Sequence, residues 1–284
     1  MLRSVVVGAL LLLAPAFGAS AQSLLGDAND GKTIRVGFAE QEPFIVTGPN
    51  GQLTGYEVDL LNAVLSKFGN SKLEAVPTQF GALIPGLQAR RFDIIASDLY
   101  IRPDRCDLVA FAEPTHFVND GLIVPAGNPK AIHSYADIAK DPALKLGYLT
   151  GGGPIADHAL AEGVSKDQLV TLPDIASLLS AVKTGRIDAF LNTGVTVEST
   201  IKTANDPTIE RATPFKQAVI DGKPAIGIGS YAFRLADQPF VDEFNKHLTE
   251  ILTSGEAAKI GEPYGFTASD IPDGKVTTAQ LCKK

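Results

Sequence analysis

L-I-P-G-L-Q-A-R-R-F-D-I-I-A-S (83–97) and L-L-S-A-V-K-T-G-R-I-D-A-F-L-N (178–192) read as two spellings of one pattern, in which Arg91, Asp93 and Ser97 match Arg186, Asp188 and Asn192. In each, a short helix with apolar positions runs through a polar turn into a buried strand. Phe92 to Ser97 is too apolar to alternate, as expected of a strand covered on both faces. The likeness extends upstream, where R-V-G-F (35–38) resembles K-L-G-Y (145–148).

Around these segments, strands and helices alternate. Thr33 to Phe38 reads as a strand, and Tyr56 to Phe68 as a helix through Val58, Leu61, Val64, Leu65 and Phe68. Lys72 to Val76 reads as a strand and Ala82 to Ala89 as a helix. The second set has strands at Leu146 to Leu149, Val170 to Leu172 and Ile187 to Leu191, with helices at Pro154 to Ala161 and Ile175 to Lys183. This alternation is the signature of βαβ units. The chain is therefore expected to be α/β, with two similar units.

Beyond the second unit, Ala225 to Phe233 reads as a strand, Phe240 to Leu252 as an amphipathic helix and Glu256 to Ile260 as a further helix, with no counterpart in unit two. These elements are expected to complete the first lobe. The divisions that follow are lobe one at 30–117 and 228–270, lobe two at 118–227 and a tail at 271–284, joined by a two-strand hinge. Ligands of open α/β sheets bind beyond the carboxyl ends of the strands, so both units should face one cleft.

Arg3, the apolar run Val5 to Leu13 and the A-x-A formed by Ala19, Ser20 and Ala21 make residues 1–21 a secretory leader pattern, cut before Gln22. The apolar run is too short to cross a hydrocarbon layer of about 30 Å. Export to the periplasm is expected. In that oxidising compartment, Cys106 and Cys282 form either a long-range disulfide or two free thiols. The formal charge of −7, with no Lys/Arg cluster, argues against nucleic acid as a partner.

The strand exits carry the candidate ligand groups. The first unit offers Gln41 and Phe44 in A-E-Q-E-P-F, Phe80 near the second strand, and Asp98, Tyr100 and Arg105 after the third. Arg105 suits a carboxylate, because a guanidinium presents paired donors and stays charged. The rings of Phe44, Phe80 and Tyr100 suit a cation, unless each is simply core. Asp98 suits an ammonium or steadies Arg105. In the second unit T-G-G-G-P (150–154) places Gly151 and Gly153 where backbone N–H groups could meet an anion at a helix N-terminus. Asn192 and Thr193 offer neutral hydrogen bonds. The histidines are scattered, and no H-E-x-x-H, G-x-S-x-G or cysteine cluster occurs, so neither a catalytic residue nor a metal or cofactor is assigned.

G-F-A-E-Q-E-P-F, G-Q-L-T-G-Y-E-V-D-L, R-R-F-D-I-I and R-P-D-R resemble the polar amino-acid family of solute-binding proteins that serve ABC importers. Within it, T-Q-F-G-A-L-I-P-G-L, R-P-D-R-C, I-H-S-Y-A-D-I-A-K and D-G-K-P resemble the ectoine/hydroxyectoine-binding branch. The resemblance implies a two-lobed periplasmic binding protein fold. It implies a monomeric, non-enzymatic receptor that closes on a small zwitterionic ligand and docks on an inner-membrane permease. It places Arg105 on the ligand carboxylate and Phe44, Phe80 and Tyr100 around a delocalised cation. Three positions depart from the pattern. Thr193 stands where amino-acid binders carry an acid, Asp98 where relatives carry a small residue, and Gln41 where ectoine binders carry glutamate. An amino acid or diamine-bearing solute is therefore an alternative, and a periplasmic cyclohexadienyl dehydratase-like enzyme is the rival from another class.

Overall fold

The computed structural model describes residues 23–69 and 72–283; the leader pattern at 1–21 lies outside them. Lobe one begins with β1 (Ile34–Phe38), α1 (Tyr56–Leu65), β2 (Leu73–Pro77), α2 (Leu83–Gln88) and β3 (Ile94–Tyr100). A short helix α3 (Pro103–Cys106) leads to β4 (Ala110–Phe111) and β5 (His116–Val118). The chain then enters the second sheet at β6 (Asp120–Pro125). It continues through α4 (Tyr135–Lys140), β7 (Leu146–Leu149), α5 (Gly153–Ala161), β8 (Leu169–Leu172), α6 (Ile175–Lys183), β9 (Ala189–Thr193), α7 (Gly194–Ala204) and β10 (Ile209–Arg211). It returns to the first sheet as β11 (Gly227–Phe233), followed by α8 (Gln238–Thr253) and α9 (Glu256–Gly261).

The first sheet has the order β2-β1-β3-β11-β4, with β5 also on β11; the second has β8-β7-β9-β6-β10. Each is three parallel strands extended by an antiparallel strand supplied at a crossover. The repeat is thus physical. Asp93 donates its N–H to the Arg35 carbonyl at 2.9 Å and accepts the Arg35 N–H at 3.2 Å. Asp188 does the same with Lys145, at 2.8 Å in both directions. One aspartate per lobe therefore sets the third strand beside the first. The glycine of each opening strand has a shared cause: a Cβ on Gly37 would fall 2.4 Å from Phe92, and one on Gly147 2.4 Å from Ile187.

Helix α8 buries Phe240, Val241, Phe244, Leu248, Ile251 and Leu252 on one stripe, the three-and-four spacing of an amphipathic helix. Phe244 meets Tyr231 and Phe233 of β11, which fastens the returning segment onto lobe one. Cys106 and Cys282 form a disulfide with Cα atoms 5.8 Å apart, closing a sequence separation of 176. Leu281 and Cys282 lie against the apolar cluster of Phe80, Ile101 and Val109. The C-terminal tail is thereby held beside Arg105.

Candidate functional site

The site is assembled from strand exits. Strand β3 is buried throughout, yet Asp98 within it has φ +49°, a left-handed conformation that aspartate adopts more readily than most residues. Pairing with β11 shifts register between Ser230 and Ala232, a bulge that redirects the side chains at the strand end. The Asp98 carboxylate lies 2.7 Å from His116 Nε2 and accepts from Gln41 Nε2 at 3.0 Å. Its backbone N–H donates to both oxygens of Glu57 at 3.2 Å. Burial, then the charge of Asp98, pushes the Glu57 carboxyl well above the usual carboxylate range. Burial raises Asp98 too, against the opposing pull of His116, Gln41 and Arg105.

Arg105 is positioned by α3, whose Pro103 pre-sets the backbone at the helix start. Its Nη1 donates to the Tyr100 carbonyl at 3.0 Å and its Nη2 to the Gly151 carbonyl, on the other lobe, at 2.9 Å. Burial brings the guanidinium down to about 10, so it remains charged at neutral pH. Gly151 is left-handed, with φ +88°, and a Cβ there would lie 2.7 Å from Gly81 Cα. Only a glycine lets the two lobes approach so closely at this point.

Lobe one lines a small interlobe cavity, about 40 Å³, with Gln41, Phe80, Asp98, Tyr100 and Arg105; lobe two adds Leu149, Gly152, Pro154, Ile155, Leu191, Asn192 and Thr193. Several buried polar atoms around it have no protein partner: Gln41 Oε1, the Tyr100 hydroxyl, Asn192 Nδ2 and, one strand over, Asp120 Oδ1. Such atoms are expensive unless something else satisfies them.

Interlobe contacts close the cleft. Gln41 Nε2 reaches Asn192 Oδ1 at 3.5 Å and Thr196 Oγ1 at 3.4 Å. On the rim, Glu42 accepts from Ser199 at 3.0 Å and Thr203 at 2.6 Å, and Arg102 pairs with Asp157 at 2.5 Å.

Four expectations need correction. Phe44 does not line the cavity: it is fully buried, with its ring 4.8 Å from His116 and 5.5 Å from Phe266, because the loop after β1 turns it inward. Gly151 offers its carbonyl to Arg105 and is not itself part of the cavity lining. Gly153 is the first residue of α5 and is not part of the lining, which is formed instead by its neighbours Gly152 and Pro154. Thr193 lines the cavity, but its hydroxyl caps α7, accepting the Thr196 N–H at 3.3 Å and donating to Thr196 Oγ1 at 3.0 Å. The sequence reading gave no role to His116, which no motif flags, or to Glu57, although Glu57 stands within G-Q-L-T-G-Y-E-V-D-L (51–60). It also missed the apolar wall of Leu149, Ile155 and Leu191, which the repeat does signal, since these follow or end the strands of unit two.

A family model of bacterial extracellular solute-binding proteins, family 3, matches residues 34–267, and the chain belongs to that family. A probable amino-acid ABC transporter periplasmic-binding protein, y4tE of Sinorhizobium fredii, is 36% identical over 88% of this chain and 82% of that protein. The crystal structure of EhuB in complex with hydroxyectoine superposes with a TM-score of 0.79 at 33% identity, covering 92% of this chain and 98% of that one. The ancestral amino acid-binding protein AncCDT-1, a precursor of cyclohexadienyl dehydratase, gives a TM-score of 0.70 at 26% identity, over 85% of this chain and 99% of that one. The protein is thus a two-lobed solute-binding protein of the ABC amino-acid transporter type. Among the described residues no helix is long and apolar enough to cross a membrane.

Proposed function

We propose that this protein is the periplasmic receptor of an ABC importer and captures a small zwitterion, an ectoine-like compatible solute in the first instance. The observation that carries the reading is the buried, charged Arg105 at an interlobe cavity whose other walls are aromatic, polar and aliphatic. Arg105 holds the carboxylate, while the faces of Phe80 and Tyr100 take the cationic end. Gln41, oriented by Asp98, and Asn192 complete the polar contacts, and Leu149, Ile155 and Leu191 exclude water. The likeness to the hydroxyectoine-bound EhuB supports this ligand class.

In this reading residues 1–21 direct export. Lobe one (30–117 and 228–270) and lobe two (118–227) close by hinge motion, and the closed monomer docks on an inner-membrane permease. A polar amino acid is the second reading, favoured by y4tE and by the change from an expected glutamate to Gln41. The protein acts by binding and not by turnover. A thermal-shift panel of ectoine, hydroxyectoine, betaines and polar amino acids tests the ligand class, since a ligand of the native state raises the melting temperature. A shift with ectoine is expected; a shift with amino acids alone moves the assignment to them. Release of product from prephenate or arogenate would establish an enzyme instead.

A further inference from the structure

We infer that Asp120 supplies the lobe-two acid for the ligand's cation, so that the cleft selects a cation bearing N–H donors over a quaternary ammonium. This rests on the cleft reading above and names the group that sets its selectivity. Asp120 opens β6 and pairs across the ladder with Thr193, a cavity-lining residue whose own hydroxyl is committed to capping a helix. It is fully buried. One carboxylate oxygen accepts from the Tyr135 hydroxyl at 2.5 Å and lies 2.8 Å from His158 Nδ1. The other oxygen, Oδ1, has no partner.

The Tyr100 hydroxyl, on the facing lobe, is the complementary orphan. Burial and then the charges of Asp98 and Asp120 keep that phenol protonated, which places one ring in the field of a carboxylate from each lobe. A cation held against Tyr100 would therefore feel the charge of a carboxylate from each lobe. Of the two acids, Asp98 has each oxygen engaged by His116 or Gln41, whereas Asp120 keeps Oδ1 without a partner among the described residues. An acceptor held out of water in this way rewards a donor and gains no hydrogen bond from a methylated nitrogen. His158, one helical turn beyond Ile155 of the cavity wall, and Tyr135 hold the carboxylate in place.

Isothermal titration of the wild type and Asp120→Asn with ectoine, L-arginine, L-glutamine and glycine betaine tests this. The wild type should prefer its best N–H-bearing solute over glycine betaine by at least tenfold, and Asp120→Asn should cut that preference at least tenfold with a cooperative melting transition retained. Unchanged affinities in a folded Asp120→Asn would overturn the inference and leave the receptor reading standing. Should the variant not fold, the wild-type comparison decides, and a preference for glycine betaine rejects the proposal. If the wild type binds none of the four, the ligand reading itself fails, and this inference with it.

Discussion

The two lobes each place an aspartate beside a histidine near the cleft, at nearly equal spacing, and use them differently. In lobe one Asp98 is 2.7 Å from His116 and has both oxygens engaged, within a buried group that includes Glu57. In lobe two Asp120 is 2.8 Å from His158 and keeps one oxygen bare. The first arrangement ties β3 to hinge strand β5, while the second leaves an acceptor for a guest. Similar pairs on similar sheets thus divide between holding the scaffold and reading the ligand, and hydrogen-bond occupancy separates the roles.

The largest effect that sharpens this comparison is expected from Asp98→Ala, which leaves His116 and Gln41 without their buried partner. Leaving buried polar groups unsatisfied costs about 1 to 3 kcal/mol of stability for each group, readable in urea denaturation. A loss below about 1 kcal/mol would place Asp98 among the ligand-reading groups. Replacing Cys106 and Cys282 by serine is expected to cost about 2 to 5 kcal/mol, because the bridge closes a very long loop. Ligand affinity should fall with it, since the bridge neighbours Arg105; unaltered affinity in the folded variant would show that α3 holds its own position.

Glu57 gives a pH signature. Its folded-state pKa lies above its unfolded value, so its contribution to stability is complete below the unfolded carboxylate range and is lost as pH rises through the folded value. Glu57→Gln, which keeps an acceptor for the Asp98 N–H without a charge, should flatten the fall in melting temperature between mild acid and neutral pH. A slope identical to wild type would assign that dependence to another group. Smaller again, Phe80→Leu should weaken a cationic ligand by about 1 kcal/mol, roughly fivefold, through loss of the ring face. Phe44→Leu should leave affinity unchanged and cost under about 1.5 kcal/mol of stability. Equal affinity losses in both would return Phe44 to the binding wall. Arg102→Ala, on the rim, should change affinity by less than about 1 kcal/mol, and less still in high salt.

The duplicated architecture was legible because the repeat carries its own physics: Asp93 and Asp188 pin strands, and Gly37 and Gly147 make room for Phe92 and Ile187. The positions of Arg105, Phe80, Tyr100 and Gln41 in the cavity wall were legible because they are polar or aromatic residues at or just past the ends of apolar strands. Phe44 obeyed the same rule yet turned inward, because a loop residue's facing depends on what it packs against, here His116 and Phe266. The crossover near Phe117 to Leu122 was legible, but the extent of the strand Asp120–Pro125 and the helix Gly194–Ala204 escaped the reading, since an antiparallel strand at a crossover and a helix of mixed polarity lack a strong period. Asp120 therefore went unnoticed: its position comes from cross-strand pairing with Thr193, which no local motif encodes.

The most direct test of the account is a calorimetric titration of wild type and Arg105→Ala with the solute that most raises the wild-type melting temperature. A loss of at least about 2 kcal/mol, near thirtyfold, is expected for removal of a desolvated partner of the ligand carboxylate. Binding by Arg105→Ala within a factor of two of wild type would contradict it.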